Sequence, residues 1–523
     1  MPARETVADV FLETLHQMGI RYLFSNLGTD YPPLVESLAK YESLDVALPE
    51  MMICAHENTA ITAAHGYALA TGQGQGVFVH VGVGTQNLGG GLHNAFVARV
   101  PMYIFAGKSP LATRGEMLGS RDNSIHYLQD IRDQAGIVRQ YVKWDFNLEI
   151  AEQAAYAFQR GARIMQSEPR GPVYVTAARE VLGFAAPERE SDPPGWSAQP
   201  ELGELPQPVA QRLAAALHAA ERPLIVTSYL GRNGEAVGLL VRLSELLNIP
   251  VSEPGATVLN FPRNHPNHWG FRNSGAEKEA DLIVLIDTDV PWVPKAGAPK
   301  PDTPVVQIDL DPLKSHITIW DFPVTESHRV DSRLALARIL EHAERLPAFS
   351  AEHQALRQRW LASHPPPIPP VPSDGRLTVP SLSALLGSEL PGDSVIFDEG
   401  VTSADAIRFL CPRSEPGSFF GLPGGSLGWG GGAALGHKLA KPEKEAVALL
   451  GDGSFLFNVP SSLYMTAQRY GIPFLTVIYN NGGWNAVKLA TTRVYGGRES
   501  SAVDEGAFRH DLTPSDNLEQ VAA

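Results

Sequence analysis

The residues best suited to chemistry are a carboxylate and an amide, each set among glycines. Asp452 stands in Gly451-Asp452-Gly453-Ser454 and Asn481 in Asn480-Asn481-Gly482-Gly483, with 26 residues between Gly453 and Asn480. A carboxylate and an amide oxygen are hard ligands suited to Mg²⁺ or Ca²⁺. A divalent metal held by few protein atoms completes its shell with phosphate oxygens and water. Glycine lets backbone approach a ligand closely, and a helix start offers free N–H groups to a phosphate. Alone, Gly-Asp-Gly is also an ordinary turn; the paired asparagines favour the ligand reading. Two other groups stand out. Glu57, in His56-Glu57-Asn58-Thr59-Ala60, reads as a solvated carboxylate in a helix first turn or as an acid whose apolar surroundings let it share a proton. His80, at the end of an apolar run, reads as a satisfied core group or as a proton carrier.

Strands must end beside these groups to position them. The apolar run 445–450 predicts a buried strand leading into Gly451, 461–470 a helix, and 473–479 a second strand ending on the asparagines. This order puts Asp452 and Asn481 at the carboxyl ends of neighbouring parallel strands, where open α/β sheets bind ligands. The first block alternates likewise. It has a helix within 1–20, a strand at 22–25, a polar turn at 26–30 and a helix at 33–40. A helix at 56–71 stopped by Gly72 follows, then a strand at 76–81 running into the loop 82–85. Gly89-Gly90-Gly91 breaks the chain ahead of a helix through Phe96, and strands follow at 102–107 and 172–176. A middle block has strands at 223–226, 282–287 and 305–309. Two linkers separate the blocks. One is polar and proline-rich (185–208, with Glu188, Glu190, Asp192, Pro193 and Pro194); the other is the proline run 364–370. The prediction is an α/β chain of three doubly wound parallel-sheet domains, at 1–184, 209–346 and 374–523.

Composition narrows the function. The 523 residues are 44% hydrophobic and 19% charged, an ordinary globular balance. The formal net charge of −15 speaks against a general nucleic-acid binder. No apolar run is long enough to span a membrane, and the first twenty residues, which include Arg4, lack the apolar core of a signal peptide. Cys54 and Cys411 make neither a metal cluster nor a disulfide framework. A cytoplasmic location is expected.

The spacing from Asp452 to Asn481 resembles that of thiamine diphosphate (ThDP) enzymes. Two α/β blocks flanking a middle one match the decarboxylase and carboligase family, which includes the acetolactate synthases. The resemblance implies that the first block binds the aminopyrimidine (PYR domain) and the third the diphosphate (PP domain). It implies that Asp452, Asn481 and the carbonyl of Gly483 hold Mg²⁺, with Gly453 and Ser454 beside the cofactor. Glu57, ahead of Ala63-Ala64-His65-Gly66-Tyr67-Ala68, would bond the pyrimidine ring nitrogen, so that the activated cofactor serves as the electron sink for C–C cleavage. Leu427, in Gly424-Gly425-Ser426-Leu427-Gly428, falls where relatives wedge an aliphatic side chain under the bent cofactor, and the Gly425 carbonyl would accept a bond from its exocyclic amine. Thr402 and Ser403, where hydroxyls and N–H groups open a helix, are diphosphate candidates. Relatives usually continue with a further strand and helix beyond residue 523.

On the substrate side, Val79-His80-Val81-Gly82-Val83-Gly84-Thr85 resembles the benzoylformate decarboxylases, which carry a proton-shuttling histidine there. Asn26-Leu27-Gly28-Thr29 resembles the loop whose hydroxyl contacts the substrate carboxylate, so Thr29 and Asp30 are candidates, a plain turn being the alternative. His56, His93 and Trp484 are further candidates for the lining. Gly483-Trp484-Asn485 departs from the acetolactate synthases, and Lys108 stands where relatives commonly have glutamine. The expected activity is ThDP- and Mg²⁺-dependent decarboxylation of a 2-oxo acid of the pyruvate or benzoylformate type, with or without carboligation. Alternatives are acetolactate synthesis, 2-hydroxyacyl-CoA cleavage, and a non-catalytic module that keeps the fold. The middle block has no Gly-x-Gly-x-x-Gly, so bound FAD or another nucleotide is unsupported. The resemblance implies a homodimer or homotetramer with active sites at the subunit interface. No nucleic-acid or membrane partner is expected.

Overall fold

The computed structural model describes residues 5–187, 199–272, 275–497, 500–515 and 517–521. Arg4 and the charged and proline residues 188–194 of the first linker lie outside the described residues. The chain forms two compact units, Met1–Pro200 with Leu422–Ala523, and Glu201–Gly421.

In the first unit, six parallel strands lie in the order β2-β1-β3-β4-β6-β5. They are β1 (Tyr22–Asn26), β2 (Glu50–Ile53), β3 (Gln75–Val79), β4 (Met102–Lys108), β5 (Trp144–Leu148) and β6 (Pro172–Ala178). Helix α1 (Val7–Gln17) opens on a capping box in which Thr6 and Asp9 satisfy each other's backbone N–H. Its Phe11 stacks on Phe78 of β3, with ring centroids 5.6 Å apart. Helix α2 (Pro32–Ser43) follows β1. Helix α3 (Glu57–Thr71) starts on His56, whose side chain accepts the Asn58 N–H, and ends at Gly72, left-handed at φ +71°. Asn26 of β1 pairs with Val79 of β3, and Val79 with Ala106 of β4. The residues just past these strands therefore share one end of the sheet.

The strand expected over 76–81 ends at Val79, and the loop expected over 82–85 is helical. His80 caps helix α4 (Val81–Asn87), and Val81 takes φ +31°, which a β-branched residue rarely adopts. Nor does the glycine triplet break the chain. Helix α5 (Gly89–Val97) begins on it, and Gly91 lies against Ile61, where a Cβ would come within 2.4 Å. Helix α6 (Ile125–Leu128) sits in the long segment between β4 and β5.

The second unit holds five parallel strands in the order β11-β10-β9-β7-β8. They are β7 (Pro223–Thr227), β8 (Val251–Ser252), β9 (Leu282–Ile286), β10 (Val305–Asp309) and β11 (Glu326–Arg329). Past the ends of β9 and β10, the buried Lys314 ammonium bonds Asp309 at 2.8 Å, pairs with Asp289 at 3.2 Å and meets the Tyr229 hydroxyl. Further on, β12 (Val395–Glu399) pairs in parallel with β13 (Phe419–Gly421). Between them the 3-10 turn Val401–Ser403 leads into α7 (Ala404–Leu410).

Back in the first unit, α8 (Gly430–Ala440) packs on α3 with backbone against backbone. A Cβ on Gly66 would stand 1.9 Å from the Ala433 carbonyl oxygen, and one on Gly436 1.8 Å from that of Ala63. Strand β14 (Ala446–Gly451) pairs in parallel with β15 (Leu475–Tyr479), Gly451 opposite Tyr479. Helices α9 (Asp452–Phe457) and α10 (Pro460–Tyr470) connect them, and α11 (Asn485–Tyr495) follows. Parallel strands with helical crossovers thus run through all three regions, as the spacing of apolar runs predicts.

Candidate active site

Glu57 sits in the first turn of α3 and is 6% exposed. Asn87, the last residue of α4, donates from Nδ2 to its Oε2 at 3.0 Å, and His56 Nδ1 lies 4.0 Å from the same oxygen. Oε1 faces Gly84, where a Cβ would come within 3.0 Å. So α4 supplies both a donor and a gap beside this carboxylate. Asn87 carries no signal in the sequence; only the packing of α4 on α3 brings it to Glu57.

One turn before Gly84, His80 is half-buried. Its Nδ1 lies 2.5 Å from Asp30 Oδ1 and its Nε2 3.2 Å from Gln129 Oε1. The hydrogen bond to Asp30 raises the proton affinity of the ring above the ordinary histidine value, against the opposing effect of burial. The other Asp30 oxygen accepts the Val81 N–H at 3.3 Å, which helps hold that residue at positive φ. Thr29 turns its hydroxyl to the buried His126, 3.4 Å away at Nε2, and its carbonyl accepts from Arg179 at 3.1 Å. His126 and Gln129, on and just past α6, escaped the sequence reading because that segment has no motif.

The loop carrying Gly425 and Leu427 is tied to α3 and α5. Asn58 donates to the Gly428 carbonyl at 2.8 Å and Asn94 to that of Ser426 at 2.8 Å. Asn94 Oδ1 accepts the N–H groups of Gly424 and Ser426, both at 3.2 Å. His93, expected to line the site, contacts the Gly424 carbonyl at 3.0 Å. Gly425 is exposed at φ +80°, and Leu427 is half-buried.

Asp452 opens α9 and is 2% exposed, and its Oδ2 has no hydrogen-bond partner among the described residues. An unpaired buried carboxylate oxygen is costly, and a cation relieves that cost. Across the strand pair, Asn480 is used internally: its Oδ1 accepts the Gly482 N–H at 3.0 Å and its Nδ2 donates to the Ser515 carbonyl at 2.9 Å. Asn481 is exposed. Trp484 N–H donates to the His510 carbonyl at 2.7 Å, and Leu512 N–H to that of Gly482 at 2.9 Å, so residues 510–512 lie along the Gly483 loop. Ser454 is buried, and Gly453 faces the Trp484 ring. No group of three or more His, Cys, Asp or Glu gathers as a metal cluster among the described residues. One carboxylate with amide and carbonyl oxygens is the donor set of a hard cation that shares phosphate ligands, so these residues fit Mg²⁺. In the second unit, Ser403 is buried and Thr402 exposed on the turn after β12.

Three family models describing thiamine pyrophosphate (TPP) enzymes match the chain. They are the N-terminal TPP binding domain over residues 5–137, the central domain over 210–327 and the C-terminal TPP binding domain over 398–522. The chain is similar to benzoylformate decarboxylase of Pseudomonas aeruginosa, with 25% identity over 92% of this chain and 87% of that protein. It is similar to the acetolactate synthase isozyme 3 large subunit of Escherichia coli, with 24% identity over 95% and 85%. In structure it is similar to the thiamine diphosphate-dependent 4-hydroxybenzoylformate decarboxylase of Rhodococcus jostii RHA1. The TM-score there is 0.80, over 99% of this chain and 92% of that one, at 23% identity. With ThDP-binding domains at both ends of its sequence, the chain belongs to the thiamine pyrophosphate enzyme family, of the decarboxylase and carboligase type, and ThDP is its cofactor. No described helix is long and apolar enough to cross a membrane.

Proposed function

We propose that this enzyme, with ThDP and Mg²⁺, decarboxylates a 2-oxo acid of the benzoylformate or pyruvate type and releases an aldehyde. The observation that carries the reading is the placement of His80 one helical turn from Gly84, which borders Glu57, with a ring whose proton affinity is raised. Bound ThDP supplies an electron sink for the pair of electrons left when CO₂ departs. Glu57 shares a proton with the pyrimidine nitrogen while Asn87 holds its other oxygen. His80 gives a proton to the carbon that has lost CO₂, and Thr29 orients the substrate carboxylate. Asp452, Asn481 and the Gly483 carbonyl would hold Mg²⁺, with Gly453 and Ser454 beside the diphosphate; in the second unit, Thr402 and Ser403 would offer hydroxyls to a diphosphate. The Gly425 carbonyl and Leu427 would hold the aminopyrimidine side of the bound cofactor. A homodimer or homotetramer with active sites at subunit interfaces, in a cytoplasm that keeps Cys54 and Cys411 as thiols, completes the reading.

Similarity to the E. coli acetolactate synthase, at nearly the same identity as to the decarboxylase, favours a second outcome in which a second carbonyl intercepts the reaction before protonation. CO₂ release with product identification on pyruvate, 2-oxobutyrate and benzoylformate separates the two. An aldehyde supports the decarboxylase. A hydroxyketone or acetolactate-type product moves the enzyme to carboligation. No CO₂ from any of them, with ThDP bound, overturns both. Glu57→Gln is expected to keep ThDP and to lose about 10²–10⁴-fold in turnover.

A further inference from the structure

The surroundings of His80 select which ring nitrogen can deliver a proton. Nδ1 is held at 2.5 Å by Asp30, itself 3% exposed and anchored through its second oxygen by the Val81 N–H. Nε2 faces the Gln129 carboxamide oxygen at 3.2 Å. Both ring nitrogens thus meet acceptors, the arrangement a doubly protonated ring satisfies. Two glycines, Gly28 just past β1 and Gly107 near the end of β4, make room for the pair. A Cβ on Gly28 would stand 1.9 Å from His80 Nδ1, and one on Gly107 2.0 Å from Asp30 Oδ2. Neither glycine has positive φ, so what each supplies is space and not a special backbone conformation.

We propose that Asp30 is a positioning residue for His80: it pins Nδ1, the ring carries a proton on each nitrogen, and Nε2 is the atom that delivers. The inference rests on the protonating reading above. In the step, the Nε2–H bond breaks, its electron pair stays on nitrogen, and the proton forms the new C–H bond of the aldehyde. The neutral ring keeps its Nδ1 proton on Asp30. One proton from water then reloads Nε2, matching the proton consumed when a 2-oxo acid anion becomes aldehyde and CO₂. The charged groups acting on the ring are Asp30, on the loop after β1, and Glu57, on the first turn of α3; both are carboxylates, and the uncharged Gln129 adds in the same direction.

The test uses the full chain loaded with ThDP and Mg²⁺ and carrying ¹⁵N-labelled histidine, the His80 signals being those lost in His80→Gln. The ring should titrate above about 6.5, the ordinary histidine value. In Asp30→Asn the midpoint should fall by about one unit or more, a tenfold or greater weakening of proton binding. The alkaline limb of the aldehyde-forming rate should move down by the same amount, and Asp30→Glu should restore part of it. Equal midpoints in wild type and Asp30→Asn would overturn the proposal. So would a wild-type midpoint at or below the ordinary value. Should Asp30→Asn fail to fold, the wild-type spectrum near pH 6.5 decides: a mainly doubly protonated ring supports the proposal, and a mainly neutral one overturns it. Absence of CO₂ release from wild type would defeat the decarboxylase reading while leaving the titration to judge the Asp30–His80 pair.

Discussion

Gly453 has no side chain because Trp484 takes the space: a Cβ would stand 2.1 Å from Cζ3 of the indole ring. The glycine next to the metal-candidate aspartate therefore also sets the position of the loop behind Asn481. Gly453→Ala must push the indole away, and overpacking of this kind costs about 1–3 kcal/mol. Weaker Mg²⁺-dependent ThDP binding is expected, by roughly 5- to 150-fold in a fluorescence titration if that cost falls on the bound state. Unchanged affinity would mean that the loop does not depend on the ring. At this scale Asp452, Asn481, Glu57 and His80 were legible because each sits in a short local pattern. Their partners were not. Asn87 is 30 residues from Glu57, and Asp30 and Gln129 are 50 and 49 from His80. Asp30 could be named as a substrate candidate from its loop, but not as the partner of a histidine.

Helices α3 and α8 meet along a seam of small residues whose reason is the opposing backbone. Gly66→Ala or Gly436→Ala sets a methyl against a carbonyl oxygen, and each is expected to lower stability by about 1–3 kcal/mol or more, read as a denaturation midpoint. The seam also buries His65, edge-on to Trp429 at 5.5 Å, with no hydrogen-bond partner on either nitrogen among the described residues. Burial lowers its pKa to about 3, and burial likewise lowers that of His437 on α8 to about 4. The native state therefore excludes protons that the unfolded chain binds below about pH 6.5. Stability from these two groups is full above that value and is lost as pH falls towards their folded values. The slope is at most about 1.4 kcal/mol per pH unit for each. Urea midpoints at pH 7.5 and pH 5 should differ less in His65→Leu than in wild type. An unchanged difference would show that His65 does not titrate on unfolding. The sequence marked α3 as a helix over 56–71 stopped by Gly72. It could not say which helix the glycines faced, since α3 and α8 are more than 350 residues apart in the chain.

For the whole molecule, cofactor binding and assembly are the observable consequences. If Asp452 and Asn481 hold the diphosphate through a cation, as proposed, chelating Mg²⁺ should return the melting temperature of ThDP-mixed protein to the apo value. A ligand at 100 times its Kd adds about 2.7 kcal/mol of stability, about 2–3 °C for a protein of this size. No drop on chelation would sink the metal assignment. If active sites form between chains, sedimentation should show a dimer or tetramer, and an active species that stays monomeric would remove that assembly.

The sequence by itself determined the α/β class, the parallel strands and the strand-end location of Asp452, Asn481 and His80. It could do so because alternating apolar runs and glycine turns are encoded within about twenty neighbouring residues. Tertiary structure alone decided that 81–87 is helical with His80 as its cap, and that the triplet at Gly89 starts a helix. It alone brought Asn87 to Glu57, and Asp30 with Gln129 to His80. Those outcomes depend on close packing between segments far apart in the chain. A glycine read in sequence marks a break, while in the packed molecule the same residue marks the place where another side chain or backbone comes closest.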